Sequence, residues 1–166
     1  ALQQLWDAQL RAGQVAVAAT GVLPKINWPV EPLYGISAGF EDHEYEKLFG
    51  IPHQAIDIPV PQGTTIWSAA NGVVQTVADN GFGYSYLIIK HEGGATVYGH
   101  VSEFLVQEGD IVTDGQPIAK SGGRPGSKGA GGMTTGPHLH FELYVNGAAT
   151  DPLAYLPKLP GMDDAL

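Results

Sequence analysis

The 166-residue sequence contains no cysteine. That excludes a disulfide framework, a thiol nucleophile and any thiolate metal site, so a metal would have to be held by histidine and carboxylate groups. Basic residues are also scarce: 8 Lys and Arg stand against 17 Asp and Glu, for a net charge of −9. Nucleic acid and anionic membrane surfaces both demand clustered positive charge, so neither is an expected partner. Long apolar runs are missing too. Ile56 to Val60 and Val15 to Ala19 fall far short of the roughly 20 residues that span a bilayer, so no membrane-spanning segment is expected in this chain. The sequence starts at Ala1 without a charged or apolar signal-like region, and any targeting segment or anchor is expected to have been removed or never included. A cysteine-free chain fits a bacterial exported protein. Glycine (23) and proline (12), by contrast, are abundant, which favours short strands and many turns over a helix bundle.

The length suits one domain with a short appendage. Residues 1 to 21 form the expected N-terminal helical segment, with Leu2, Leu5, Trp6 and Leu10 on one stripe and Gly21 as the stop. Pro24, Pro29 and Pro32 make residues 22–33 an extended linker lying on the domain, because proline lacks a donor and biases its predecessor away from helix. From Tyr34 onward turn signals recur every 8 to 12 residues or so, as an all-β domain requires. Strands are expected at 35–40, 54–58, 65–69, 72–78, 85–91, 95–100, 118–121 and 138–145, forming an antiparallel sheet or sandwich with a groove along one face. The domain is expected over residues 34–157, with 158–166 as a C-terminal tail. The glycine-rich stretch 122–136 reads as a long, mobile loop bordering the groove, where Arg124 and Lys128 could hold a substrate carboxylate; the alternative is an unstructured insertion with no role in binding.

Six histidines are present, and strand alternation sorts them. In His53–Gln54–Ala55–Ile56–Asp57–Ile58, an extended backbone puts His53, Ala55 and Asp57 on one face and the isoleucines on the other. In His138–Leu139–His140–Phe141–Glu142–Leu143, the polar residues share a face opposite Leu139, Phe141 and Leu143. In Thr96–Val97–Tyr98–Gly99–His100, the same rule aligns Thr96, Tyr98 and His100, with Val97 and Val101 opposite. Four histidines on such faces, next to a carboxylate, suit a borderline-soft cation such as zinc, although any one of these motifs alone is common by chance. His43, in the run Glu41–Asp42–His43–Glu44, and His91, at a Gly-rich turn, are expected to be solvated.

Two other patterns fail. Gly123 to Gly129 has the glycines of a phosphate loop, but Ser127 separates Gly126 from Lys128 and glycine follows the lysine where Ser or Thr is needed. Val106 to Ala119 resembles the hairpin of lipoyl and biotinyl carrier domains, yet lacks their modified-lysine tip.

His53-x-x-x-Asp57, Tyr98-x-His100 and His138–Leu139–His140–Phe141–Glu142, in that order, resemble the lysostaphin/LytM-type zinc endopeptidases that cut peptidoglycan peptides. The resemblance covers roughly residues 35–156 and extends to Gly63–Thr64–Thr65, Ala69 to Val74, Lys90–His91, Gly109–Asp110, Gly115–Gln116 and Thr135–Gly136–Pro137. It implies one zinc ion held by His53, Asp57 and His140, with His100 and His138 as catalytic histidines, a peptidoglycan peptide as substrate, and a bacterial extracellular, periplasmic or cell-envelope location. Ala55 stands where the family often has glycine, and the segment before Thr135 is longer than usual. Three protein ligands would leave the fourth position on tetrahedral zinc for a water whose pKa falls toward about 7. No helical His-Glu-x-x-His glutamate is available, so a histidine would accept the water's proton and the other would stabilise the oxyanion. The residues do not say which does which. Glu142 is expected to orient rather than to react. The alternative is a catalytically silent module that regulates wall amidases on the same fold; such modules usually lack the zinc ligands.

Overall fold

The computed structural model describes residues 2–159. Two helices, α1 (Leu2–Ala18) and α2 (His43–Phe49), precede the strands β1 (Ile56–Pro59), β2 (Thr65–Trp67), β3 (Gly72–Ala78), β4 (Tyr86–His91) and β5 (Gly94–Gly99). Then follow β6 (Val101–Phe104), β7 (Ile111–Val112), β8 (Pro117–Ser121), β9 (His138–Val145), β10 (Ala148–Thr150) and a 3₁₀ turn at Pro152–Ala154. The larger sheet has the order β1-β9-β5-β4-β3-β7, with β10 added to β9, and the smaller has the order β2-β8-β6. All pairings are antiparallel. The expected all-β architecture is therefore present, and among the described residues no helix is long and apolar enough to cross a membrane.

Each face of the larger sheet has its own cover. On one face Ile56, Ile58, Leu87, Ile89, Tyr98, Leu139, Phe141 and Leu143 pack against Ile66, Ile118 and Ala119 of the smaller sheet. On the other, Tyr86, Ile88, Ala95, Val97 and Tyr144 pack against Leu5, Ala8, Ala12 and Ala16 of α1. This corrects the expected helix stripe: Trp6 and Leu10 are 47% and 64% exposed. Small alanines at i, i+4 and i+8 let the helix axis approach the sheet closely, so the buried face is the one with little side-chain bulk. The side chain of Leu2 lies outside those described, as do residues 160–166 of the expected tail. Residues 22–33 are more than a strap. Leu23, Ile26 and Val30 enter the inter-sheet core, while Ile26 N donates to Tyr155 O and Asn27 N to Ala69 O.

Three departures have local causes. The strand expected at 35–40 is reduced to a single bridge between Ala38 and Asp57. Helix α2 has no counterpart in the sequence pattern because seven residues with no fully buried side chain carry no periodic stripe; its signals are Asp42, which accepts from Tyr45 N at 3.0 Å, and Gly50 at φ 76°. Strands β6, β7 and β10, with 4, 2 and 3 residues, are too short for alternation to register.

His91 is buried rather than solvated. Its Nδ1 donates to Asn71 O at 2.7 Å and its Nε2 lies 2.7 Å from Thr96 Oγ1, which in turn lies 2.8 Å from the Tyr98 hydroxyl. Ala69 N donates to that hydroxyl. Burial lowers the His91 pKa, so the folded chain keeps it neutral while the unfolded chain binds a proton below about 6.5. Because the unfolded state then binds more protons, stability falls as pH drops through that value. The melting temperature should accordingly fall less between about pH 7.5 and 5.5 in His91→Gln than in the wild type. Equal slopes would remove His91 from the pH response.

Candidate metal centre and catalytic histidines

Pairing of β1 with β9 sets Asp57 directly opposite His140, with the flanking pairs Ile56–Phe141 and Ile58–Leu139 turned into the inter-sheet core. Alternation therefore forces both polar side chains onto the face away from the smaller sheet. His140 Nδ1 lies 3.1 Å from Asp57 Oδ1, and His53 Nε2, just before β1, lies 3.3 Å from the same oxygen. One ligand atom from each of these three buried residues lies within 4.8 Å of the others.

Hydrogen bonds on the far side of each ring select its tautomer. His53 Nδ1 donates to Gly39 O at 2.7 Å, leaving the Nε2 lone pair facing Asp57. His140 Nε2 donates to Glu142 Oε2 at 3.1 Å, leaving Nδ1 for the same point, and Glu142 Oε1 accepts from the Tyr144 hydroxyl at 2.9 Å. Glu142 is wholly buried and thus has the orienting place expected of it. His53 Nε2 is buried with no hydrogen-bond partner. Two imidazole lone pairs and a carboxylate converging in a buried place, one of them orphaned, are unfavourable unless a cation takes them, and the donor set suits zinc. The residues present thus fit a metal.

Burial works against a charged Asp57, but the His140 and His53 rings set against it, with the charges of His140 and His138, hold its carboxyl well below the usual range. Burial also works against a charged His140; the carboxylates of Asp57 and Glu142 outweigh it and push the imidazole up to about 10.

His138 and His100 complete the group. His138 Nδ1 donates to Gly136 O at 2.7 Å, and its Nε2 lies 3.7 Å from Asp57 Oδ1. His100 Nδ1 donates to Ala130 O at 2.8 Å, and its ring meets that of His138 edge-on at 4.5 Å between centroids. Burial, followed by the charges of His138 and His140, lowers the His100 pKa to about 3. All five residues singled out from the sequence therefore come together.

His100, however, does not share the face of Thr96 and Tyr98 that alternation predicts. Tyr98 pairs with Phe141 and Thr96 with Leu143, so both point into the inter-sheet core, whereas Val97 and Gly99 share the face of Glu142 and His140. His100 would follow Tyr98 by alternation, but its backbone is left-handed, φ 60°, and this turns the ring to the opposite side. Gly99 is required on that side: a Cβ there would collide with the Tyr84 hydroxyl, which is itself buried without a partner.

The stretch 122–136 is also not the free loop expected. Gly129 N donates to Gly81 O, Ser85 N to Gly129 O and Gly131 N to Phe82 O, so the middle of the segment is stitched to the turn between β3 and β4. Its glycines allow backbone to approach backbone; a Cβ on Gly129 would run into the Val101 carbonyl. Lys128 lies 3.7 Å from Asp79, and neither it nor Arg124 lines the cleft beside the histidines. That cleft is bounded by Tyr45, Phe49, Asp57, Met133, Thr135 and His138. The Tyr45 ring also lies 4.1 Å from that of His53. No sequence signal marked Tyr45, Met133 or the three orienting carbonyls.

Residues 51–152 match peptidase family M23. The chain belongs to that family. It is 40% identical over 120 residues to the peptidoglycan DD-endopeptidase ShyC of Vibrio cholerae, covering 70% of this chain and 26% of that protein. It is 35% identical over 143 residues to an uncharacterized metalloprotease of Haemophilus influenzae, covering 84% of this chain and 28% of that one. The chain thus spans about a quarter of the length of these curated relatives. A crystal structure of a zinc containing peptidase from Vibrio cholerae superposes with a TM-score of 0.67 at 34% identity, over 80% of this chain and 41% of that one. All five site residues except His138 and His140 come from separate turns or strands, and all five lie within the M23 match.

Proposed function

We propose that this M23 chain is a zinc-dependent endopeptidase that hydrolyses peptide bonds in bacterial peptidoglycan, acting outside the cytoplasm in the cell envelope. The observation that carries the reading is the orphaned Nε2 of His53, converging with Asp57 and His140 Nδ1 beside two further histidines. His53, Asp57 and His140 would hold one zinc ion, which when bound supplies Lewis acidity and lowers the pKa of water toward about 7. His100 and His138 both present Nε2 lone pairs, because backbone carbonyls take their Nδ1 protons. One of these Nε2 atoms accepts the proton of the attacking water and returns it to the leaving nitrogen; the other, carrying a proton taken up from solvent, donates to the oxyanion. Glu142 keeps His140 in the tautomer that offers Nδ1. Burial of all five residues strengthens these interactions by excluding water. A silent regulatory module would have no use for two preoriented imidazoles beside a complete ligand set. Digestion of purified peptidoglycan by zinc-loaded and by chelated protein tests the reading: the loaded chain should release peptides and the chelated chain none.

A further inference from the structure

His100 depends on parts of the chain that never reach the cleft. Its Nδ1 proton is held by the carbonyl of Ala130, a fully buried residue in the middle of the glycine-rich segment. Ala130 bridges Tyr84, and the hydrogen bonds of Gly129 and Gly131 to residues 81–85 clamp it from both sides. Tyr84 is in turn tied to α1: its backbone N donates to Gln4 Oε1 at 2.8 Å, and the Gln4 amide lies against Gly83. Leu5, the next residue of α1, lines a small cavity together with His100, His140, Ala130 and Met133. A continuous path thus runs from the first turn of α1 through the 81–85 turn and the 129–131 segment to the ring of His100.

We propose that Gly129–Ala130–Gly131 is a positioning element for His100 and that α1 secures it through Gln4. The inference rests on the catalytic reading of His100 given above. With the Ala130 carbonyl in place, the Nδ1–H tautomer is favoured and Nε2 keeps its lone pair as an acceptor. If the carbonyl moves away, the alternative tautomer puts a proton on Nε2 and removes the acceptor. The left-handed backbone of His100 adds to this dependence, because a ring on a φ of 60° is not oriented by strand pairing and needs an external tether. Gly129 cannot be replaced silently: it has φ 81°, and a Cβ would strike the Val101 carbonyl, pushing Ala130 off its place.

The test uses the full, zinc-loaded, ¹⁵N-labelled chain and reads the imidazole nitrogens by NMR, with the His100 signals identified by their loss in His100→Ala. The wild type is expected to show His100 in the single Nδ1–H tautomer. Gln4→Ala and Gly129→Ala should both bring in the Nε2–H form and lower kcat on peptidoglycan by about tenfold, with KM and zinc content unchanged. Gln4→Ala removes a half-buried side chain from a helix surface, so it decides the matter should Gly129→Ala fail to fold. Pro125→Ala, in an exposed part of the same segment, should alter neither signal nor rate. Retention of the single tautomer and of wild-type kcat in the Gln4 and Gly129 variants overturns the proposal. If the wild-type chain cleaved no peptide, the catalytic reading would fall, while the His100 signals would still decide the positioning.

Discussion

His140→Ala should leave the chain without zinc and without peptidase activity. The residue supplies Nδ1 to the shared point with Asp57 and His53, and it is also the only one of the three whose far nitrogen is held by a buried carboxylate. Removing it deletes one of three donors and leaves Glu142 buried against a void, so the loss of affinity should exceed the 10- to 100-fold typical of orienting partners. Glu142→Gln gives the contrast. It keeps the shape and an acceptor oxygen for His140 but not the charge, and it should weaken zinc binding by about 10- to 100-fold without abolishing it. Elemental analysis after dialysis against a weak chelator measures both. A full equivalent of zinc in His140→Ala would show the ligand assignment to be mistaken.

The second large effect separates chemistry from metal binding. His100→Ala and His138→Ala should keep zinc and lose turnover by about 10² or more, the scale of a general base or an oxyanion donor. Neither ring is needed to complete the group of His53, Asp57 and His140. Both present Nε2 with Nδ1 tied to the backbone, so neither has another structural duty at that nitrogen. Kinetics on peptidoglycan fragments alongside zinc content resolves the two roles, and near wild-type turnover in either variant takes that residue out of the mechanism.

Asp57 and His140 of the candidate metal group were legible in the sequence because they obey strand alternation. Asp57 and His140 alternate with isoleucines, leucine and phenylalanine that must go inward, and a period of two leaves their direction no freedom once β1 and β9 pair. His100 was found through its spacing and its resemblance, but its direction was misread, since one left-handed residue reverses the face and nothing in Tyr98–Gly99–His100 announces that reversal. Tyr98 misled for a related reason. Its polar tip suggested an outward face, yet the hydroxyl is satisfied inside the core by Ala69 N and Thr96. His91 was placed in solvent because it borders a Gly-rich turn, although a partner from Asn71, 20 residues away in sequence, buries it. In α1 the large apolar residues Trp6 and Leu10 suggest a buried stripe, but the alanines, which allow close packing, are the ones that face the sheet. Backbone carbonyls, which choose every tautomer but one among the four histidines of the site, carry no sequence signature at all.

The most direct measurement is mass spectrometry of the ends created when the zinc-loaded wild-type chain digests purified, cross-linked peptidoglycan. Hydrolysis of a peptide bond adds one water and produces a new amine and a new carboxyl in the stem peptides, with the glycan strands intact and no products after chelation. New sugar reducing ends, or undiminished peptide release by the chelated chain, would contradict the account.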